Sequence, residues 1–174
     1  MNPSPFSFEV VAACGRARAG ILHTPHGSVL TPAYMPVATR AAAKLLTAEE
    51  LAGAGVSLLV ANTFHLHLRP GEEIIARQGG LHRFMGWDGA ILTDSGGFQV
   101  HSLAPLRRVD DDGVAFRSPL DGREIRLTPE AAVRIQMDLG ADFAMVLDYC
   151  TSYPTPREEA ERAAALTTSW ARRC

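Results

Sequence analysis

An α/β fold with a parallel sheet follows from three features of this sequence. Short, continuously apolar runs read as strands buried on both faces. Capped helical stretches alternate with those runs, as crossovers between parallel strands require. A β-rich opening segment and one inserted hairpin stand outside the alternation.

Residues 6–13 (FSFEVVAA) alternate loosely and predict a strand. GRARAG (15–20) reads as a turn, and ILHTPHGSVLTP (21–32) as a hairpin with PHGS at its tip. AYMPVA (33–38) is a short apolar run. Thr47 and Glu50 fit a capping box, in which hydroxyl and carboxylate each satisfy a backbone N–H at a helix start. That helix ends near Gly53 to Gly55, and VSLLVANT (56–63) follows as a buried strand. Pro70 sits where a helix can begin, and GEEIIARQGG (71–80) carries it to a glycine stop. GAILTD (89–94) is the next strand. GVAFRSPL (113–120) and REIRLT (123–128), joined by Asp121-Gly122, form the clearest hairpin. Thr128 and Pro129 open a helix through Leu139 that Gly140 stops. DFAMVLD (142–148) reads as a buried strand, and Thr155-Pro156-Arg157-Glu158 as a second capping box opening the last helix. No internal repeat or low-complexity linker interrupts the order. The last helix is still amphipathic at TTSWARRC, so the chain is expected to be cut from a longer one.

Composition narrows the classes. Apolar residues make up 47%, ordinary for a globular protein, and a formal net charge of −2 advertises no global affinity for nucleic acid. A local arginine stripe could still serve an RNA partner. Lys44 is the single lysine, a bias that genomic composition explains as well as phosphate binding does. Cys14, Cys150 and Cys174 are odd in number and far apart, which argues against a disulfide framework or a cysteine metal site and makes a reducing cytoplasm the expected compartment. No apolar run reaches the length of a membrane span.

Three buried strands end in polar residues: Asn62, Asp94 and Asp148. In parallel α/β folds the carboxyl ends of the strands share one face, where ligands gather. An acid at a strand end can equally be a turn former or helix cap. The residues after Asp94 favour a site. Gly96 and Gly97 permit close approach to the main chain, Ser95 adds a hydroxyl, and Phe98 an aromatic face. Together they suit a planar ligand with polar edges. His65 and His67 would share a face if extended, but without a third ligand nearby they read as packing or substrate contacts. Cys150 reads as a small apolar filler, and Asp110-Asp111-Asp112 as a solvated turn.

The segments MPVATRAAAKLLTAEEL, ANTFHLHLRPG, ILTDSGGFQVHSL, FRSPLDG and LTPEAAVRIQMDLGADFAMVLDYCTSYP, in this order, resemble the N-terminal half of bacterial tRNA-guanine transglycosylases, the queuine tRNA-ribosyltransferases. The resemblance covers the chain from about Phe8 onward. It implies an incomplete (β/α)8 TIM-type barrel: residues 1–174 would supply its first three to four βα units, with an N-terminal antiparallel β extension and an inserted hairpin. It implies exchange of guanine at the wobble position of tRNA anticodons for a 7-deazaguanine precursor of queuosine, through a covalent ribosyl–enzyme ester. Carried over residue by residue, Asp94 is the general base toward the incoming base, and Ser95, Gly96 and Gly97 line the base pocket. Phe98 stacks on the base, Asp148 reads the purine edge, and Asn62 sits near the ribose. The partners implied are tRNA and the free base, with a homodimer at full length. The family's nucleophilic aspartate and its cysteine–histidine zinc site fall beyond Cys174, so zinc has no ligands in this chain and the fragment alone is expected to be inactive. The sequence departs from the family at ATRAAAK, which is richer in alanine, and at Tyr149, where an acid is common.

Two other readings remain open at this stage. One is a noncatalytic partner subunit or a truncated base-binding fragment. The other is an unrelated barrel enzyme that uses the same strand ends.

Overall fold

The computed structural model describes residues 5–103 and 106–174. Strands β1 (Ser7–Cys14), β2 (Ala17–Thr24) and β3 (Gly27–Thr31) form an antiparallel sheet in that order. The turn between β1 and β2 is shorter than GRARAG suggests. Cys14 already pairs with Ala17, so only Gly15 and Arg16 turn the chain, the two-residue connection that matches strand twist. The sheet lies on the rest of the protein through Val29, which packs with Leu58 and Ala90.

The chain then alternates. β4 (Val37–Ala38) is followed by α1 (Ala48–Gly53), whose Thr47 and Glu50 make the expected reciprocal cap. β5 (Leu58–Ala61) leads into three short helices, α2 (Thr63–Leu68), α3 (Glu72–Arg77) and α4 (Gly80–Met85). Next come β6 (Ala90–Thr93) and α5 (Gly97–Leu103). β7 (Arg107–Asp110), β8 (Gly113–Arg117) and β9 (Glu124–Leu127) form a second antiparallel sheet, one strand larger than the expected hairpin. α6 (Pro129–Leu139) has the Thr128 cap and the Gly140 stop read from sequence. β10 (Phe143–Ala144) and α7 (Arg157–Ala171) complete the order.

β4, β5, β6 and β10 make one sheet in the order β10-β6-β5-β4, and every pair in it is parallel. Successive parallel strands are therefore neighbours, each reached by a crossover containing helix. The architecture is mixed α/β, a parallel sheet accompanied by antiparallel ones. Ile91, Leu59, Leu66, Ile75, Leu81, Leu139 and Trp170 are among the buried residues of the main core between sheet and helices.

Several expectations are corrected. Residues 63–68, of which the sequence assigned only Thr63, to the preceding strand, are helical, so His65 and His67 are not extended; burial of Thr63, Phe64 and Leu66 fits a helix laid on the core. The run DFAMVLD pairs as strand only at Phe143 and Ala144. The Met145 N–H still reaches the Thr93 carbonyl at 3.1 Å, and Gln136 braces that point: its amide donates to the Met145 carbonyl (2.9 Å) and accepts from the Met145 N–H (2.9 Å). The same Oε1 accepts the Thr93 hydroxyl (2.9 Å), so one buried side chain ties β6, α6 and the segment leading to Asp148. At α7 the second capping box is absent. The helix starts one residue later, with Pro156 at the cap and no side-chain cap bond. Glu159 instead accepts the Tyr149 hydroxyl at 2.6 Å.

Candidate base-binding site at the carboxyl ends of the parallel strands

β5 and β6 lie side by side and in register, so the residues just past their ends meet. Asn62 follows β5 and donates from Nδ2 to Asp94 Oδ2, just past β6. Gln99 Nε2 donates to the same oxygen at 2.9 Å. Oδ1 accepts two backbone N–H groups, from Thr63 (2.9 Å) and Gly96 (3.2 Å). A carboxylate offers about four lone-pair positions, and here each has a donor. The two oxygens differ in kind. Oδ1 is fixed by main chain, whereas the donors on Oδ2 are side-chain amides that can rotate away.

Asp148 comes from farther off. It lies four residues past the end of β10, so it is not a strand-end residue, yet it reaches the same place. Its Oδ1 accepts the Ser95 hydroxyl at 2.8 Å, and its Oδ2 the Cys150 thiol at 3.1 Å. Ser95 Oγ in turn accepts the Gly97 N–H at 3.1 Å. Both glycines have a geometric reason. Gly96 has φ of +83°, where side chains are disfavoured, and a Cβ there would lie 3.3 Å from the Phe64 nitrogen. A Cβ on Gly97 would lie 2.5 Å from Asp148 Oδ1 and 2.6 Å from the Asp148 carbonyl oxygen, so only glycine lets that carboxylate approach. Phe98 turns outward at the first turn of α5, 62% exposed, with its ring free for a flat partner.

Asn62, Asp94, Ser95, Gly96, Gly97 and Asp148 are thus brought into one bonded group, with Phe98 beside it. Three participants had no clear sequence signal: Thr63, Gln99 and Cys150. Gln99 Oε1, on the same amide whose Nε2 meets Asp94, is buried without a hydrogen-bond partner in the structure. His65 and His67, being helical and two apart, face different ways. His67 pairs with Glu72 (2.8 Å), while His65 lines a cavity of about 240 Å³ with Arg40, Phe64 and Arg69. Burial, and then the Arg40 charge, hold His65 below its ordinary pKa, with Asp94 opposing.

Cys150 is more than filler. Burial first, then its bond to Asp148, push its thiol up to about 12. Thiolate is the reactive form, and almost none exists at pH 8 at such a value. Iodoacetamide at pH 8 is therefore expected to modify the exposed Cys14 and Cys174 and to spare Cys150. Peptide mass mapping checks this, and early labelling of Cys150 would contradict the bond to Asp148.

A cysteine–histidine zinc centre does not fit these residues. The cysteines are free and spread over the chain, and among the described residues no group of three metal-capable side chains includes one. Among the described residues, no helix is long and apolar enough to cross a membrane.

A family model described as queuine tRNA-ribosyltransferase matches residues 13–174. A queuine tRNA-ribosyltransferase of Prochlorococcus marinus is 56% identical over 171 residues, covering 97% of this chain and 46% of that protein. One of Cyanothece sp. is 56% identical over 172 residues, covering 98% and 45%. One of Pelotomaculum thermopropionicum is 58% identical over 158 residues, covering 91% and 43%. The chain spans less than half the length of these curated relatives.

Proposed function

The chain belongs to the queuine tRNA-ribosyltransferase family, and on that premise we propose that it forms the base-binding part of an enzyme that exchanges guanine at the tRNA wobble position for a 7-deazaguanine precursor of queuosine. One observation carries this reading. The carboxylates of Asp94 and Asp148 both bond to the segment Ser95–Gly97, one through the Gly96 N–H and one through the Ser95 hydroxyl. On this reading a single flat ligand lying on that segment meets both acids.

The roles follow from the chemistry. The incoming base attacks ribose C1′ through a ring nitrogen that must lose its proton, and a positioned carboxylate accepts it. Asp94 Oδ2 is the acceptor, since Asn62 and Gln99 can swing off it while Oδ1 stays fixed. Asn62, once released, faces the ribose. Asp148 reads the adjacent N–H donors of the guanine edge, for which an acceptor-only carboxylate is the complement. Phe98 stacks on the ring, which offsets part of the cost of drawing a base out of the anticodon stack.

The family resemblance implies that the nucleophile of the ribosyl ester and the zinc site are not among residues 1–174. Residues 1–174 belong to one (β/α)8 barrel domain. The chain-order adjacency of β4, β5, β6 and β10 supports that reading, as do Met145 and Val146, which are exposed beside the outer edge of β10. Partners are tRNA and the free base, with a second copy as a dimer partner, in the cytoplasm.

The test uses a chimera in which these residues replace the matching part of the Prochlorococcus relative. Asp148→Asn is expected to lower kcat/KM for guanine by about 10–100-fold, because one of two recognised N–H donors loses its acceptor at roughly 1–3 kcal/mol. Hypoxanthine, which lacks the exocyclic amine, is expected to lose less. Equal losses for both bases would refute the edge-reading role.

A further inference from the structure

At the opposite end of the parallel sheet, a second cluster stands apart from the base site. We propose that His26, His82 and Asp142 form a structural site for a divalent transition-metal ion, zinc being the best-matched candidate. His26 lies at the tip of the β2–β3 hairpin, His82 on α4, and Asp142 just before β10. His26 Nδ1 is 2.7 Å from Asp142 Oδ1, and His82 Nε2 is 3.1 Å from Oδ2. All three ligand atoms lie within 4.8 Å of one another. In a tetrahedral zinc site with bonds of about 2.0–2.1 Å, ligand atoms stand about 3.3 Å apart. Both spacings are somewhat shorter than that value, so the carboxylate and the rings would separate slightly to admit the ion.

The surroundings also suit an ion. The two imidazole rings stack at 3.6 Å with 16° between planes, which presents two ring nitrogens to one carboxylate. Rotation of the more exposed His26 ring converges them. Asp142 is anchored from behind, its Oδ2 accepting the Ile91 N–H at 2.8 Å, as carboxylate ligands in metal sites are oriented by outer bonds. Side-chain exposure rises from 1% for Asp142 through 13% for His82 to 39% for His26, so the open side is where a water would complete the coordination. The Gly140 backbone also hydrogen-bonds the His82 ring. A neutral ring that donates there carries its lone pair at Nε2, facing the carboxylate, and a cation between the two makes that arrangement favourable.

The role is structural because the cluster sits at the amino ends of β6 and β10, away from the acids at the carboxyl ends. The ion would fasten the N-terminal hairpin to α4 and to the chain entering β10.

The chain is first treated with chelator and its exposed cysteines are blocked, so that thiols do not compete for metal. Zinc is then titrated, with calorimetry and thermal unfolding as readouts. One equivalent is expected to bind and to raise Tm. His26→Ala, on an exposed turn, and His82→Gln are each expected to weaken zinc binding at least tenfold and to abolish the zinc-dependent rise in Tm. Absence of a zinc-dependent rise in the parent chain, or an equal rise in folded His26→Ala, would overturn the assignment.

Discussion

Asparagine at position 94 is expected to lower base exchange by about 10²–10⁴-fold in the chimera, the usual contribution of a general base, while leaving the fold intact. The two halves of that expectation have separate grounds. Asn keeps one oxygen, which can stay on the Thr63 and Gly96 N–H groups, where the donors are main chain and cannot turn. Its amide nitrogen then replaces Oδ2, facing Asn62 and Gln99. Both are amides, and each can rotate to offer oxygen instead. The site is therefore rebuilt without a basic group, and the loss is chemical. Asp94→Ala is a poorer probe because it leaves the Thr63 and Gly96 N–H groups without their acceptor. Exchange of radiolabelled guanine into tRNA, beside a thermal melt, separates the two effects. Activity within a few-fold of the parent would remove Asp94 from the role of base.

Gly97→Ala is expected to be nearly as damaging, by a different route. The new methyl would meet Asp148 Oδ1 at 2.5 Å and its backbone carbonyl at 2.6 Å. One of these atoms is main chain, so rotation of a side chain cannot clear the clash. The segment carrying Asp148 must move, and Gln136, Ser95 and Cys150 all hold it. Overpacking of this kind costs about 1–3 kcal/mol. For a chain of this size that corresponds to roughly 2–4 °C in Tm for each kcal/mol. If Asp148 reads the purine edge as proposed, guanine use is expected to fall alongside. A Gly97→Ala protein with unchanged Tm and unchanged KM for guanine would show that the contact is not close in solution.

The elements legible in the sequence were those specified locally. Thr128 with Pro129, Leu139 with Gly140, and Thr47 with Glu50 state both ends of a helix or a reciprocal cap within a few residues. The helix at 63–68 was not legible, because Asn62 makes no side-chain cap bond and the segment carries no other local start signal; burial of Thr63, Phe64 and Leu66 against the core accompanies it. β10 was overestimated. Its apolar run permits a strand, but past the Met145 N–H bond to Thr93 a side chain from another element, Gln136, takes the Met145 carbonyl. Thr155 failed as a cap because Glu159, not Glu158, falls in the third position of α7, where the Tyr149 hydroxyl engages it.

The site divides in the same way. Asp94, Ser95, Gly96 and Gly97 announced themselves by their order along the chain, and Asn62 by the end of its strand. Thr63, Gln99 and Cys150 join through bonds that depend on how loops fold back, which no spacing encodes.

The most direct test of the shared base pocket is a crystal structure of the chimera with guanine bound. The account predicts one purine lying along Ser95–Gly97, its ring against Phe98, its N–H edge within about 2.6–3.2 Å of the Asp148 carboxylate and Asp94 facing the ring nitrogen that reacts. Guanine bound elsewhere, or touching one of the two carboxylates while the other stays closed off behind protein, would contradict it.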